Sequence, residues 1–256
     1  MADASVERFY DRLAADYHLV YHDWDASMSR QSASLHAVIG ARLGTGSASV
    51  LDCSCGIGTQ AVGLSRLGHR VTGTDLSRAA VARAVDEAAA RAVRLPAAVA
   101  DMRRLPFPDA RFDAVLSADN SLPHLLTGTD VLAALTGMRR VLRGGGLLMI
   151  STRPYDEILR SRPRTTAPQL SETADGQAFT FQVWDWHDDG ERYDLRLFRL
   201  LPRDEGWHVE VGRTTYWALT QRQLTDFVLE AGFEAPRWHT PDSSGFFQPL
   251  LTALAP

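Results

Sequence analysis

The chain has 256 residues, of which 45% are apolar and 23% charged, and its net charge is −4. That length can bury a sizeable core, and the composition excludes a disordered chain. The acidic balance argues against a nucleic-acid partner, and no apolar run reaches the length of a membrane span.

The first residues lack the apolar core of a signal peptide, so a cytoplasmic protein is the expectation. All 27 basic residues are arginines. This excludes a Walker P-loop and a lysine Schiff base. The two cysteines, Cys53 and Cys55, lie too close together to staple distant segments. With no matching Cys/His cluster they read as small buried residues, and no metal is expected.

In chain order, Val6 to Tyr17 reads as a helix with Val6, Phe9, Tyr10, Leu13 and Tyr17 on one face. Tyr21, Trp24 and Arg30 follow among the acids Asp23 and Asp25. Ala26 to Leu43 continues as a second helix, ended by Gly44-Thr45-Gly46. Residues 1–46 thus form a helical lid ahead of a nucleotide-type core, whose aromatics either meet a ligand or pack the lid down.

The next stretch, Val50 to Gln60, organises the rest. An apolar strand ends in Asp52, Gly56 and Gly58 flank Ile57, and a helix-prone segment begins at Ala61. Glycine lets the backbone turn sharply and approach a ligand, and the N–H groups at a helix start can face an anion. Asp52 sits where a pyrophosphate would be unwelcome. A carboxylate there suits a cation, such as the amino group of a methionine moiety.

Arg70 to Thr74 is a second strand, ending at Asp75 and Leu76. From that position, about twenty residues past a glycine turn, a carboxylate can accept both hydroxyls of a ribose. It can equally cap the helix that starts at Ser77. A third strand, Ala97 to Ala100, ends at Asp101-Met102. A fourth, Phe112 to Ser117, runs into Asp119, Asn120 and His124. Ligands of open α/β sheets lie beyond the carboxyl ends of the strands, so these groups stand where chemistry would occur. Asn120 offers both a donor and an acceptor. His124 either contacts a ligand or fills the turn.

A helix from about Thr129 to Leu142 and the glycines 144–146 lead to a fifth strand, Leu147 to Ser151. Beyond it, Arg153 either offers a guanidinium fork to a carboxylate or pairs with Asp156 on the surface. Residues 165–218 then change character. Period-two alternation in 179–186, 193–200 and 207–211, with turns at Asp188-Asp189-Gly190 and Asp204-Glu205-Gly206, predicts antiparallel hairpins inserted into the α/β pattern. Trp184, Trp186, Tyr216 and Trp217 there either stack on a flat ligand or bind the insertion to the core. A helix over Thr220 to Ala231 and a closing β pair, Phe233 to His239 and Phe246 to Leu254, complete the chain.

The order of these elements resembles the class I S-adenosylmethionine (SAM)-dependent methyltransferases. More narrowly, Tyr21-His-Asp-Trp24 with Arg30, the Leu51–Gln60 turn, Asp119-Asn-Ser-Leu-Pro-His124 and Arg153-Pro-Tyr-Asp156 resemble the glycine/sarcosine N-methyltransferases. The resemblance implies a Rossmann-like, doubly wound seven-stranded α/β fold in one domain. The lid would be 1–46, the SAM-binding core 47–164 and 219–256, and 165–218 a substrate-covering insertion.

It implies SAM held by Tyr21, Trp24, Arg30, Asp52, Cys53, Gly56, Gly58, Asp75, Leu76, Asp101, Met102 and Asp119. Arg30 would meet the methionine carboxylate and Asp101 the adenine amino group. The acceptor would meet Tyr17, Asn120, Arg153, Trp184 and Tyr216, with His124 the one candidate base. The expected reaction is methylation of a nitrogen in a glycine- or sarcosine-like small molecule. Methylation of a small heteroaromatic is the alternative, and a SAM-binding protein without catalysis is the non-enzyme reading. A nicotinamide oxidoreductase is disfavoured by Asp52 and, slightly, by Ala61 where a third glycine would stand. A homo-oligomer stays open.

Overall fold

The computed structural model describes residues 2–173, 176–203 and 206–256. Two helices come first, α1 (Ala2–Leu13) and α2 (Trp24–Leu43). Strand β1 (Ser49–Asp52), helix α3 (Thr59–Arg66), β2 (Arg70–Asp75), α4 (Arg78–Ala90), β3 (Ala97–Val99), β4 (Phe112–Ser117), α5 (Gly128–Val141) and β5 (Leu142–Ser151) then alternate. After α6 (Tyr155–Ser161) come four strands, β6 (Gln169–Thr173), β7 (Gly176–Trp186), β8 (Arg192–Arg203) and β9 (Gly206–Trp217). The chain closes with α7 (Gln221–Glu230), β10 (Glu234–His239), α8 (Pro241–Ser244) and β11 (Leu250–Leu254).

The central sheet has the order β10-β11-β5-β4-β1-β2-β3. β1 to β5 are parallel, and β11 runs antiparallel to β5. The strand order reverses between β1 and β4, which opens a crevice above their carboxyl ends. β1 and β4 are buried along nearly their whole length because helices cover both faces of the sheet. One apolar core joins this sheet to α2, α3 and α4, and another joins it to α5 and α7. A third lies under the antiparallel sheet β6-β7-β8-β9, where Phe9, Leu13, Tyr155, Trp184 and Tyr193 pack together.

Short polar residues stop the helices where capping chemistry requires. Asp23, Ser77 and Thr127 each accept a backbone N–H at the start of α2, α4 and α5, and Thr220 with Gln223 forms a capping box on α7. The cap at Asp23 is why α2 begins at Trp24, two residues before the expected start. α1 ends at Leu13, short of the predicted Tyr17, and Tyr17–Val20 forms a separate 3-10 turn. The glycines 144–146 lie inside β5, in an irregularity opposite Phe112–Ala114. They had been expected to form a turn ahead of a shorter strand. β6 carries no alternation strong enough to predict it, and Asp204 and Glu205 of one expected turn lie outside the described residues.

The C-terminal end of α1 is fastened to α4. Asp11 accepts from the Ser77 hydroxyl at 2.6 Å and the Ala79 N–H at 3.1 Å, while Arg83 donates to the Ala14 and Ala15 carbonyls. On its other side Phe9 lies against Gly212 of β9, where a Cβ would come within 2.7 Å of the ring. The first helix therefore bridges the two sheets above the crevice. Among the described residues no helix is long and apolar enough to cross a membrane, and no group of three His, Cys, Asp or Glu could hold a metal.

Candidate active site

The crevice holds a cavity with about 820 Å³ of empty space, counted out to its mouth. Its floor is the β1–α3 loop from Cys53 to Ile57. Its sides are Asp75 and Leu76 after β2, Asp101 to Arg103 after β3, and Asp119 to Leu125 after β4. Val6, Tyr10, Tyr17 and Tyr21 roof it. Successive strand ends thus supply successive walls.

The floor is shaped by two left-handed glycines. Gly56 has φ +51, and a Cβ there would touch the Tyr17 ring at 3.6 Å, an ordinary contact, so the left-handed backbone is what calls for glycine. Gly58 has φ +94, and a Cβ would meet Val62 at 2.8 Å, so it is needed for close packing of the turn on α3. Asp75 locks the turn. Its Oδ2 accepts the Gly56 N–H at 2.8 Å and its Oδ1 the Ser77 N–H at 2.9 Å. Burial raises its pKa, opposed by these backbone bonds. Each oxygen keeps a second lone pair, so two neighbouring hydroxyls can still be accepted.

Asp101 is gripped through both oxygens by Arg103, which also reaches Asp130 at 2.9 Å. Burial opposes its charge, but this pairing prevails and holds Asp101 below the usual carboxylate range. Cys53 and Cys55 are free, buried thiols on the cavity floor. Burial pushes both pKa values up, which keeps them protonated.

A second cavity, with about 1030 Å³ of empty space, lies between α1, the Tyr17–Val20 turn and the antiparallel sheet. Tyr10, Tyr17, Tyr21 and Asp119 line both cavities and form the partition between them. Asp119 and Asn120 are consecutive left-handed residues, φ +53 and +66, at the end of β4. Such backbone strain persists only where the surroundings enforce it. Here Ser151 Oγ takes the Asp119 N–H at 2.8 Å, Tyr21 donates to Oδ2 at 2.7 Å and Gln248 to Oδ1 at 3.2 Å. Burial raises the Asp119 pKa, against the Tyr21 bond and the charge of Arg153.

Arg153 stands on the far side of the second cavity. It donates to the Tyr193 hydroxyl at 2.8 Å and to Gln182 Oε1 at 3.2 Å, and its guanidinium lies over the rings of Trp184 and Tyr216. Among the described residues no carboxylate pairs with it. Asp156, the surface partner considered from sequence, instead accepts from the Gln221 N–H.

Most expected residues come together here: Tyr17, Tyr21, Cys53, Gly56, Asp75, Leu76, Asp101, Met102, Asp119 and His124 at the first cavity, and Arg153 and Tyr216 at the second. Others stand elsewhere. Arg30 is exposed on the solvent side of α2 and donates to Ser27, because the buried stripe of that helix runs through Met28, Gln31 and Ser32. Trp24 is behind the wall. Its indole N–H reaches Thr59 Oγ1 at 2.9 Å, and Arg83 and Arg91 flank its ring.

Asp52 is fully buried with Oδ2 unpartnered, and burial lifts its pKa to about 7. Asn120 braces the ends of β4 and β5, accepting the Arg153 N–H at 3.0 Å, with Nδ2 unpartnered. Trp184 lies in the third core, stacked on Tyr193, and serves as the seat of Arg153.

His124 is not placed to act as a base. Its Nδ1 faces the Thr215 carbonyl at 3.2 Å, so in the neutral ring Nδ1 carries the proton and Nε2 accepts from Tyr10 at 2.8 Å. Burial lowers its pKa to about 3. Sequence reasoning missed Tyr10, Gln182, Phe247 and Gln248 as lining residues. Gln182 alone left a signal, since alternation puts it on the same face of β7 as Trp184.

A doubly wound sheet with an antiparallel penultimate neighbour, acidic strand ends and a glycine turn defines the class I methyltransferase fold. Residues 50–146 match the family of the methyltransferase domain. That match spans the glycine turn and the acids that follow β2, β3 and β4, and the cofactor it supports is S-adenosylmethionine. The left-handed glycine turn at Gly56 and the paired lone pairs of Asp75 fit that molecule.

Among its relatives, the glycine/sarcosine N-methyltransferase of Parasynechococcus marenigrum (strain WH8102) is 36% identical over 115 residues, 44% of this chain and 41% of that protein. The ubiquinone/menaquinone biosynthesis C-methyltransferase UbiE of Laribacter hongkongensis (strain HLHK9) is 28% identical over 246 residues, 89% and 86% of the two chains. SAM-bound CalS10, an amino pentose methyltransferase from Micromonospora echinaspora, superposes with a TM-score of 0.74 at 19% identity over 94% of this chain and 95% of that one. The chain spans about half the length of two curated relatives, 49% of the putative methyltransferase YqeM of Bacillus subtilis (strain 168) and 41% of the glycine/sarcosine N-methyltransferase.

Proposed function

We propose that this protein transfers the methyl group of SAM to a nitrogen of a small amino-acid-like acceptor of the glycine/sarcosine kind. One observation carries the reading. Arg153, a half-buried guanidinium with no carboxylate partner among the described residues, and Asp119, a half-buried carboxylate, face the second cavity from different walls. A charge partly withdrawn from water and without a counter-ion carries a desolvation cost, and a carboxylate from the acceptor would offset it. Asp119 belongs to the partition, so an amine held there faces the cofactor cavity.

SAM supplies an electrophilic methyl on a sulfonium that is already a good leaving group. The residues of this chain need only align the nitrogen and strip it of its proton. Asp119, whose affinity for a proton is increased by burial, takes that proton better than a free aspartate would. Tyr21 and Gln248 hold it in place.

A second reading, methylation of a ring nitrogen in a heteroaromatic acid, is favoured by the size of the cavity. Its space far exceeds what glycine fills, and Tyr17, Tyr216 and Phe247 offer faces for a flat ring. A labelled-methyl screen of glycine, sarcosine, dimethylglycine and azaheterocycles with and without a carboxylate separates the two. Turnover of carboxylate-bearing acceptors is expected. Arg153→Ala should raise KM for them by about 100-fold. An unchanged KM would show that the acceptor carries no charge at that end.

A further inference from the structure

The orientation of one amide at the far wall extends this reading, on which it rests. Gln182 lines the second cavity at the centre of β7. One atom of its amide meets two neighbours, Arg153 Nη2 at 3.2 Å and Trp184 Nε1 at 3.0 Å. A guanidinium and an indole N–H can only donate. The atom between them must therefore be the oxygen, which fixes the amide against a flip. Its nitrogen then points away from both.

That nitrogen has no hydrogen-bond partner among the described residues, and it does not belong to the buried polar atoms left unpartnered there. The nitrogen is thus open to solvent, on a residue that lines the cavity. Arg153 is equally fixed. Tyr193 accepts from it and shares a hydrogen bond with the Tyr155 hydroxyl at 3.0 Å. The guanidinium also lies over the rings of Trp184 and Tyr216, which limits its movement. Two adjacent groups, neither free to turn, present only donors to the same cavity.

We infer that Gln182 is a specificity-determining residue: its Nε2 and the Arg153 guanidinium together bind the two oxygens of the acceptor's carboxylate. A carboxylate offers acceptors on both oxygens and satisfies both groups. A primary amide at the same place would bring two donors against a donor pair, and an ester would lose one acceptor and the charge. The wall therefore selects acids over their amides and esters, and does so with a neutral residue that keeps the arginine's charge available.

Gln182→Glu tests this cleanly. The new carboxylate still accepts from Arg153 and Trp184, so the packing of β7 is kept, but the donor is gone and a negative charge neutralises the arginine. With sarcosine and nicotinate as acid probes and sarcosinamide and nicotinamide as their amides, the wild type should prefer the acids. Gln182→Glu should raise KM for the better acid by about 30-fold, leave kcat within about threefold, and bring the amide level with or ahead of the acid. SAM affinity by calorimetry should not move. Wild-type indifference between acid and amide, or no use of either acid, would overturn the carboxylate reading and this inference with it. A wild-type preference for acids that survives unchanged in Gln182→Glu would overturn the role of Gln182 alone.

Discussion

The two cavities differ in how they are built. The cofactor side is made from consecutive strand ends, and its key groups are held by backbone. Asp75 is tied to the N–H groups of Gly56 and Ser77, and the floor is a glycine turn. The side proposed for the acceptor is assembled from side chains that meet only in the folded chain. Arg153 after β5 rests on Trp184 of β7, Tyr193 of β8 and Tyr216 of β9, and Gln248 comes from the segment before β11. A backbone-held wall tolerates no change of ligand, whereas a wall of side chains can be refitted one residue at a time.

The largest expected effect lies on the first side. Asp75→Ala removes a carboxylate that both faces the cavity and pins the turn, so calorimetry should show SAM affinity falling by about 100-fold or more. Affinity close to wild type would mean that the turn holds the cofactor unaided and that the contrast is misdrawn. On the acceptor side Tyr193→Phe should act more gently. It deprives Arg153 of one acceptor while the stacking remains, so KM for a carboxylate acceptor should rise by about 5-fold to 10-fold with SAM affinity unchanged. A loss of SAM affinity in that variant would show that the two sides are not separable.

The smallest effect concerns Asp52, behind the cofactor wall. Burial raises its pKa in the fold to about 7, above the ordinary value, so the folded chain binds a proton that the unfolded chain has released. Its contribution to stability is therefore fully present at low pH and is lost as pH rises through about 7. Asp52→Asn removes the titration. Thermal unfolding should show the variant gaining on the wild type as pH goes from 5 to 8. His124 pulls the other way, since it is held neutral in the fold and loses stability as pH falls from its ordinary range toward about 3. For that reason the test is the difference between variant and wild type, not the slope of either. A difference independent of pH would mean that Asp52 is ionised in the fold.

The same contrast explains what the sequence made legible. Asp52, Gly56, Asp75, Asp101 and Asp119 each follow a short apolar strand, and strand ends converge by topology alone. Period and spacing therefore sufficed to place all but Asp52 on the cavity. Residues whose position depends on packing did not declare themselves. Tyr10 looked like one more apolar position on a helical face, yet its hydroxyl meets His124 and it lines both cavities. Arg30 was expected by resemblance at the cofactor, but the register of α2 turns it to solvent. Trp184 and Asn120 were expected at the ligand and instead carry Arg153, one through its ring and the other through its backbone N–H.

The partition of Tyr10, Tyr17, Tyr21 and Asp119 faces two cavities at once, and on the proposed assignment it serves two tenants. Any mutation there is felt by donor and acceptor together, so drift toward a new acceptor is confined to the opposite wall. Descendants of such a chain would diversify at Gln182, Leu195 and Phe247 while inheriting the tyrosines unaltered.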